Sequence, residues 1–210
     1  MSTHLENLLH RRPALEVCSR EIASAFQMLL DALTAGNKLL LCGNGGSAAD
    51  AEHWAGELLK GFVHRRPLTA QMSEGLPKEI AENLQWALPA IPLTGFPALS
   101  TAFANDVNPD FVFAQLVWGL GLQGDVLIAM STSGNSKNVC HAAKVARFRG
   151  LSVVALTGES GGSLKQLADV CIAVPARETY LVQEYHLPIY HCLSVMLEEV
   201  WASRLPSFKG

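Results

Sequence analysis

Short apolar runs alternate with amphipathic stretches along most of the chain. Four of these runs have the length of buried strands: residues 38–42, 125–130, 151–156 and 170–174. Residues 90–93 are a fifth candidate strand. Turns rich in glycine and polar residues bound the runs, and stretches with helical spacing separate them. Strands that alternate with helices of this length predict βαβ units and a parallel sheet, which means an α/β fold.

The helical pattern is most regular at the two ends of the chain. Apolar residues recur at helical spacing over residues 5–33, and Pro13 is expected to divide this stretch. Gly36 is the expected C-cap. Residues 179–202 form a second long helical pattern that includes Pro188. The remaining predicted helices are residues 48–60, 137–148 and 163–167.

The segment between residues 63 and 99 contains five prolines and departs from this pattern. Within it, residues 77–88 are a candidate helix, because their polar and apolar side chains separate at helical spacing. We expect one domain over residues 1–210, with three added features. These are an N-terminal helical arm (1–36), an insertion that is a candidate lid (63–88) and a C-terminal helix (179–203).

Composition and charge narrow the class of protein. The chain is 49% hydrophobic and 17% charged, which excludes a disordered chain. Its net charge of -3 argues against a nucleic-acid partner. We find no apolar segment long enough to span a membrane, no signal peptide and no C-x-x-C pair among five widely spaced cysteines. These features predict a cytoplasmic protein with reduced thiols and no membrane partner.

Two polar turns follow predicted strands at the point where a helix begins. Residues 43–47 read GNGGS and residues 131–136 read STSGNS. The carboxyl edge of a parallel sheet is where ligands bind, and helix N-termini offer unpaired N–H groups. One such turn alone is more often an ordinary helix cap. Two turns on one sheet favour a phosphate site, although neither the P-loop pattern nor the Rossmann glycine fingerprint is present.

Several other polar residues are candidates for chemistry. His53 and Glu57 lie four residues apart on a predicted helix, where they could bind a metal, act on a substrate or form an ordinary surface pair. The spacing alone favours the surface pair. Gln183 and His191 lie two turns apart on the last helix and could face one cleft. Residues 105–106 (ND) are either a helix cap or a pair that binds sugar hydroxyls.

Six motifs occur in an order that is typical of one family. They are residues 42–47 (CGNGGS), 104–106 (AND), 124–127 (GDVL), 131–136 (STSGNS), 156–158 (LTG) and 182–186 (VQEYH). On these motifs the chain resembles sugar isomerase (SIS) domain proteins, and specifically the phosphoheptose isomerases, over residues 5–201. The resemblance implies a flavodoxin-like, three-layer αβα fold in which helices sandwich a five-stranded parallel sheet. It also implies a homotetramer built by the long terminal helices, with active sites at subunit interfaces.

The resemblance further implies a role for individual residues. Glu57 and His191 would be catalytic. Zinc would be held by His53, Glu57, Gln183 and His191. The sugar phosphate and sugar chain would be bound by Ser131, Thr132, Ser133, Ser136, Asn44, Gly45, Gly46, Ser47, Asn105, Asp106 and Gln183.

The function that the resemblance implies is an aldose–ketose isomerase. It would convert sedoheptulose 7-phosphate to D-glycero-D-manno-heptose 7-phosphate through an enediol, and so supply heptose for bacterial lipopolysaccharide. An isomerase of another phosphosugar is an alternative, because residues 71–85 are an insertion, and Lys60 and residues 180–181 depart from the family pattern. A non-catalytic, phosphosugar-binding SIS protein is a second alternative. The presence of Glu57 and His191 argues against it.

Overall fold

A five-stranded sheet forms the centre of the computed structural model, which describes residues 2–204. The strands are β1 (Leu39–Cys42), β2 (Ala90–Pro92), β3 (Val126–Met130), β4 (Ser152–Thr157) and β5 (Val170–Ala173). Their order is β2-β1-β3-β4-β5, and every neighbouring pair is parallel. The prediction of a five-stranded parallel sheet, including the fifth candidate strand, is confirmed.

Helices cover both faces of this sheet and make a three-layer αβα structure. They are α1 (Thr3–Arg11), α2 (Ser19–Thr34), α3 (Gly46–Leu59), α4 (Lys78–Asn83), α5 (Pro97–Asp106), α6 (Val112–Leu120), α7 (Lys137–Phe148), α8 (Leu164–Leu167) and α9 (Thr179–Arg204). None of the helices within residues 2–204 has the length and apolarity that crossing a bilayer requires. The predicted α/β architecture is confirmed.

Alternation along the strands divides the core in two, because successive strand side chains point to opposite faces of a sheet. Leu39 and Leu41 pack in a cluster with α1, α2, α3 and α9. Leu40 and Cys42 pack in a second cluster with α6, α7 and α8. Both faces of the sheet are therefore buried, as expected for strands that read as continuous apolar runs.

Proline and glycine act at the N-terminal arm as the sequence predicts. A 3-10 turn, Pro13–Cys18, separates α1 from α2, which confirms the break at Pro13. Gly36 follows α2 with φ of 83°, a left-handed conformation that only glycine adopts readily. The long helix α9 runs through Pro188 as one element.

The predicted helix over residues 77–88 is wrong beyond its first half. Helix α4 ends at Asn83, and Gln85 pairs with Pro67 in an isolated antiparallel bridge. The Gln85 side-chain oxygen accepts hydrogen bonds from the backbone N–H groups of Gly61 (3.2 Å) and Arg66 (3.0 Å). Tertiary hydrogen bonds therefore replace the last helical turn with an extended segment.

The chain order of the strands places a switch point between β1 and β3. After β1 the chain forms β2 on one side, and it then returns to form β3 on the other side of β1. Ligands of open α/β sheets bind in the crevice at the carboxyl ends of strands at such a point. The two polar turns identified in the sequence leave the sheet there.

Candidate functional site

The serine turn between β3 and α7 is held by hydrogen bonds among its own side chains. The Ser131 hydroxyl lies 2.9 Å from the Ser136 hydroxyl and 3.5 Å from the Ser133 hydroxyl, and it accepts a bond of 3.4 Å from the Ser136 N–H. Gly134 has φ of 68° and packs so closely on Gly161 that a Cβ would collide with its carbonyl group. The turn therefore holds clustered hydroxyls at the N-terminus of α7, a suitable arrangement for binding a phosphate.

The glycine turn between β1 and α3 lies against the serine turn. Asn44 and Asn138, which is in the first turn of α7, exchange two side-chain amide hydrogen bonds of 2.9 Å each. This reciprocal pair joins the two turns across the switch point. The prediction that both turns meet at one edge of the sheet is confirmed by this contact, and Asn138 is a residue that the sequence analysis missed.

Helix α9 reaches the same edge through Gln183. A Cβ atom at Gly46 would overlap the side-chain amide of Gln183, so a larger residue here would displace that amide. Ser47, the next residue of α3, is 3% exposed. Gln183 thus lies beside the start of α3, within the edge that holds the predicted sugar-binding residues.

The predicted acid and base both lie next to His53 farther along α3, where this helix packs against α9. His53 Nε2 lies 3.1 Å from Glu57 Oε1, and the His53 and His191 rings are 5.2 Å apart in an edge-to-face arrangement. Lys60 Nζ lies 3.4 Å from Glu57 Oε2, and Phe62 packs on the His191 ring at 5.2 Å. The structure therefore brings together three of the residues predicted to act in catalysis or metal binding.

Burial and neighbouring charge set the state of His191. Burial lowers its pKa and His53 lowers it further, while the Glu57 carboxylate acts in the opposite direction. The Nε2 atom of His191 is buried and has no hydrogen-bond partner among residues 2–204. His191 is therefore a neutral imidazole at neutral pH with an unused nitrogen. It also lines a cleft of about 480 Å³ between α1 and α9.

A buried ion pair supports the chain directly after Glu57. Arg66 Nε donates to Glu198 Oε1 at 2.6 Å, and the two side chains are 0% and 1% exposed. Arg66 also donates to the carbonyl groups of Leu58 (2.8 Å) and Glu57 (3.3 Å), at the end of α3. This pair fixes the backbone that presents Glu57, and sequence spacing gave no signal for a contact across 132 positions.

The remaining predicted pair is not joined to this cluster. Asn105 and Asp106 end α5, where Asn105 donates to Asp106 Oδ1 at 2.8 Å. Both side chains are exposed, and the structure shows no bond from them to the other predicted site residues within the part of the chain that it describes. The sequence analysis also missed Tyr190, which contacts His53, and Asp50, which contacts Tyr190. Asp50 lies three residues before His53 on the same helix face, so helical spacing could have found it.

The predicted zinc ligands fit a metal in the type of their donor atoms. Imidazole, carboxylate and amide groups are present, and the orphaned Nε2 of His191 is the kind of atom that a metal would satisfy. Across residues 2–204, however, no three His, Cys, Asp or Glu side chains converge closely enough to hold an ion. Zinc at His53, Glu57, Gln183 and His191 therefore stays a prediction.

The cysteines agree with the expectation of reduced thiols. All five are free, and four of them are buried. Burial raises the pKa of the Cys18 and Cys42 thiols to about 12, with a smaller contribution in each case from a nearby acidic or thiol group. These side chains are structural hydrophobic groups rather than nucleophiles.

Comparison with known proteins agrees with the fold. Two SIS domain family models match residues 6–85 and 104–202. The chain is 43% identical to the phosphoheptose isomerase of Thiobacillus denitrificans, over 86% of this chain and 83% of that protein. It is 40% identical to the phosphoheptose isomerase of Shewanella baltica, over 90% of this chain and 87% of that protein.

Solved structures give the same result. A phosphoheptose isomerase from Neisseria gonorrhoeae superposes with a TM-score of 0.75 and 33% identity, covering 93% of this chain and 95% of that one. The phosphoheptose isomerase from Francisella tularensis gives a TM-score of 0.76 and 32% identity, covering 90% and 91%. The chain belongs to the phosphoheptose isomerase family of SIS domain proteins.

Proposed function

We propose that the protein is an aldose–ketose isomerase that converts sedoheptulose 7-phosphate to D-glycero-D-manno-heptose 7-phosphate. In a bacterium this product would supply heptose for lipopolysaccharide, and the reaction would take place in the cytoplasm. The relatives of 40% and 43% identity are named phosphoheptose isomerases. The observation that supports catalysis in this chain is that Glu57 and His191 lie around His53 on the facing sides of α3 and α9.

The reaction moves a proton between C1 and C2 of the open-chain sugar. Glu57 is the proposed base that removes the C1 proton, which gives a cis-enediol. His191 handles the proton on the opposite side, and its neutral imidazole can accept or donate one at neutral pH. The product forms when a proton returns to C2 and the C1 carbon becomes an aldehyde.

The phosphate lies far from the reacting carbons, so its binding energy serves to position them. The hydroxyls of Ser131, Thr132, Ser133 and Ser136 are the proposed phosphate ligands, with N–H groups at the start of α7. Asn44 to Ser47, Asn105 and Asp106 are the proposed contacts of the sugar hydroxyls. This division places sugar and phosphate recognition on the sheet edge and proton transfer on the α3–α9 face.

Zinc is part of the proposal, with His53, Glu57, Gln183 and His191 as its ligands. When bound, it supplies a Lewis acid that polarises a carbonyl oxygen. The support is the type of the donor groups and the unused His191 Nε2. Metal analysis of the purified protein tests the site directly, and His191→Gln should reduce bound zinc.

The active site is proposed to require more than one copy of the chain. Gly46 and Glu57 lie 11 positions apart on α3, which is about 16 Å at 1.5 Å per residue. The acid–base pair of a chain is therefore three helical turns away from its own glycine turn. A homotetramer could bring the phosphate site of one subunit to the acid–base pair of another.

Turnover of sedoheptulose 7-phosphate tests the function. We expect the aldose product to appear in NMR spectra of a reaction with purified protein, and the rate to fall when a chelator removes zinc. A protein that folds but is inactive would contradict the substrate assignment. A panel of other ketose phosphates would then distinguish an isomerase of another phosphosugar from a non-catalytic binder.

The role of Glu57 is tested by Glu57→Gln, which keeps the size of the side chain but removes the base. We expect a loss of kcat on the order of 100- to 10,000-fold, as for other acid–base groups, with substrate binding retained. Glu52→Gln, at an exposed position on the same helix, is the matched control. Near-normal activity of Glu57→Gln would show that another group is the base.

A further inference from the structure

A chain of close polar contacts runs behind the proposed acid–base pair, from Asp50 through Tyr190 and His53 to Glu57. The Tyr190 hydroxyl lies 3.3 Å from Asp50 Oδ1 and 2.8 Å from His53 Nδ1. His53 Nε2 lies 3.1 Å from Glu57 Oε1. Tyr190 is 0% exposed, and its ring stacks on Trp54 at 5.6 Å, so the hydroxyl has a fixed position.

The number of protons that these four side chains share limits which of them can donate and which can accept. A phenol has one proton to donate, and an ionised carboxylate can only accept. If Tyr190 donates to Asp50, its oxygen accepts from His53 Nδ1–H, and the neutral His53 ring turns the lone pair of Nε2 toward Glu57. If Tyr190 instead donates to His53 Nδ1, then Nε2–H donates to Glu57.

Burial favours the first direction. Asp50 Oδ2 is buried without a partner among residues 2–204. The other carboxylate oxygen, Oδ1, accepts from the Tyr190 hydroxyl, which is the one hydrogen bond that the described residues give this carboxylate. Removing it would leave a buried carboxylate with no donor, which is costly. Glu57 is less dependent on His53, because its side chain is 15% exposed and Lys60 lies 3.4 Å away. The proton of Tyr190 is therefore needed more at Asp50 than at His53.

We infer that Tyr190 is a positioning residue: anchored on Asp50, its hydroxyl holds the Nδ1–H of His53 and so presents the His53 Nε2 lone pair toward Glu57 as a ready metal ligand. The inference rests on the proposed zinc site. It assigns to this chain an Asp–Tyr–His arrangement in which the tyrosine orients the ligand, a role that a carboxylate or backbone carbonyl often has at metal-binding histidines. The hydroxyl, rather than the ring of Tyr190, performs this role.

Tyr190→Phe tests the inference, because it removes the hydroxyl and keeps the ring on Trp54. Tyr180→Phe, at an exposed position on the same helix, is the matched control. The first readout is the 15N NMR spectrum of histidine-labelled, metal-free protein at about pH 8.5, well above the ordinary imidazole pKa of about 6.5. We expect His53, assigned by its loss in His53→Gln, to be protonated at Nδ1 in the wild type and to shift toward Nε2–H in Tyr190→Phe.

The second readout is zinc affinity, measured by competition with a chelator. We expect Tyr190→Phe to weaken zinc binding on the order of 10- to 100-fold, as for other groups that orient ligands. With sedoheptulose 7-phosphate, kcat should fall while KM changes little. Tyr180→Phe should match the wild type in all three measurements.

Two results would overturn the inference. One is an Nε2–H tautomer in the wild type, which would mean that the chain of bonds runs in the opposite direction. The other is unchanged tautomer and zinc affinity in Tyr190→Phe. If Tyr190→Phe loses its cooperative unfolding transition, Asp50→Ala is the second variant. Without Asp50 the hydroxyl proton turns to His53 Nδ1, so the same shift to Nε2–H is expected. The NMR measurement needs no turnover, so it separates failure of this inference from failure of the proposed function.

Discussion

Three histidines near the site differ in what their nitrogens contact, and those contacts decide what each can do. His53 has a partner at each nitrogen, Tyr190 and Glu57. His191 has a buried Nε2 without a partner within residues 2–204. His186, one turn before Tyr190, is 0% exposed and lies 3.4 Å from the carbonyl of Thr157. His186 is therefore a structural residue, and its burial has a consequence for stability.

The stability of the protein should fall in mild acid because of His186. Burial lowers the pKa of His186 to about 4, against an ordinary value near 6.5, and its bond to Thr157 offsets this only in part. The unfolded chain therefore binds a proton below pH of about 6.5, which the folded protein excludes until the pH falls to about 4. Above pH of about 6.5, His186 therefore does not lower the free energy of unfolding. As the pH falls from about 6.5 to about 4, protonation of the unfolded chain lowers this free energy progressively.

Denaturant unfolding across this pH range measures the effect. The wild type should lose up to about 3 kcal/mol between these two pH values from this residue. His186→Gln should be less stable at pH 7 but should lose less on acidification. His64→Gln, at an exposed position, controls for removal of an imidazole. Parallel pH profiles for the wild type and His186→Gln would show that His186 has no part in the acid sensitivity.

At the scale of elements, the Arg66–Glu198 pair joins the segment after α3 to the end of α9. The Glu198 carboxylate accepts bonds from the backbone N–H groups of Phe62 (2.9 Å), Val63 (2.9 Å) and His64 (3.1 Å). Burial would raise the pKa of Glu198, but these backbone bonds and Arg66 lower it overall. Arg66 and Glu198 are therefore both charged, and each neutralises the buried charge of the other.

Glu198→Gln should destabilise the protein by about 3–5 kcal/mol, because it leaves the Arg66 charge buried without a counterion. Glu199→Gln, at the next and more exposed position, should change stability by less than about 0.5 kcal/mol. Urea unfolding gives both values. The double variant Arg66→Met/Glu198→Leu removes both charges. If it is much more stable than Glu198→Gln, the stability lost in Glu198→Gln comes from the unpaired Arg66 charge. A loss below about 1 kcal/mol for Glu198→Gln would contradict the argument.

The same elements show what the sequence predicts and what it leaves open. Helix α7 begins and ends where predicted, at Lys137 and Phe148, because a polar turn precedes it and a glycine follows it. Helix α6 was not predicted, since its sequence is apolar on nearly all sides and lacks helical contrast. The helix expected over residues 77–88 stops early because Gln85 bonds to a distant loop. Local patterns predict local elements, and long-range hydrogen bonds decide the rest.

The candidate site likewise contains contacts that the sequence predicts and contacts that it does not. The serine and glycine turns were predicted to meet because the carboxyl ends of parallel strands share one edge. Glu57 and His53 lie on one helix, so spacing placed them together. Asn138 and Tyr190 were missed, because each reaches the site from an element that is distant in sequence from its partner. Only the packing of α7 against the glycine turn and of α9 against α3 shows these contacts.

At the scale of the whole molecule, the predicted phosphate ligands and the proposed acid–base pair of one chain lie apart, and we treat them as two partial sites of the proposed oligomer. The serine turn lies at the switch point of the sheet, and Glu57 lies about 16 Å along α3 from the glycine turn. The cleft that contains His191 opens between α1 and α9 and is lined by His4, Asn7 and Arg11. If the proposed homotetramer joins the two partial sites, each active site draws its phosphate ligands and its acid–base pair from different copies.

Mixing two inactive variants tests this arrangement. Glu57→Gln lacks the base, and the combined variant Ser131→Ala/Thr132→Ala/Ser136→Ala lacks the phosphate hydroxyls, so each should be inactive alone. When the two are dissociated together and allowed to reassemble, some sites will combine an intact serine turn with an intact Glu57 from another copy. We therefore expect turnover to return in the mixture but not in either variant treated alone. Continued inactivity of mixed oligomers, with mixing shown by native mass spectrometry, would place the whole site within one chain.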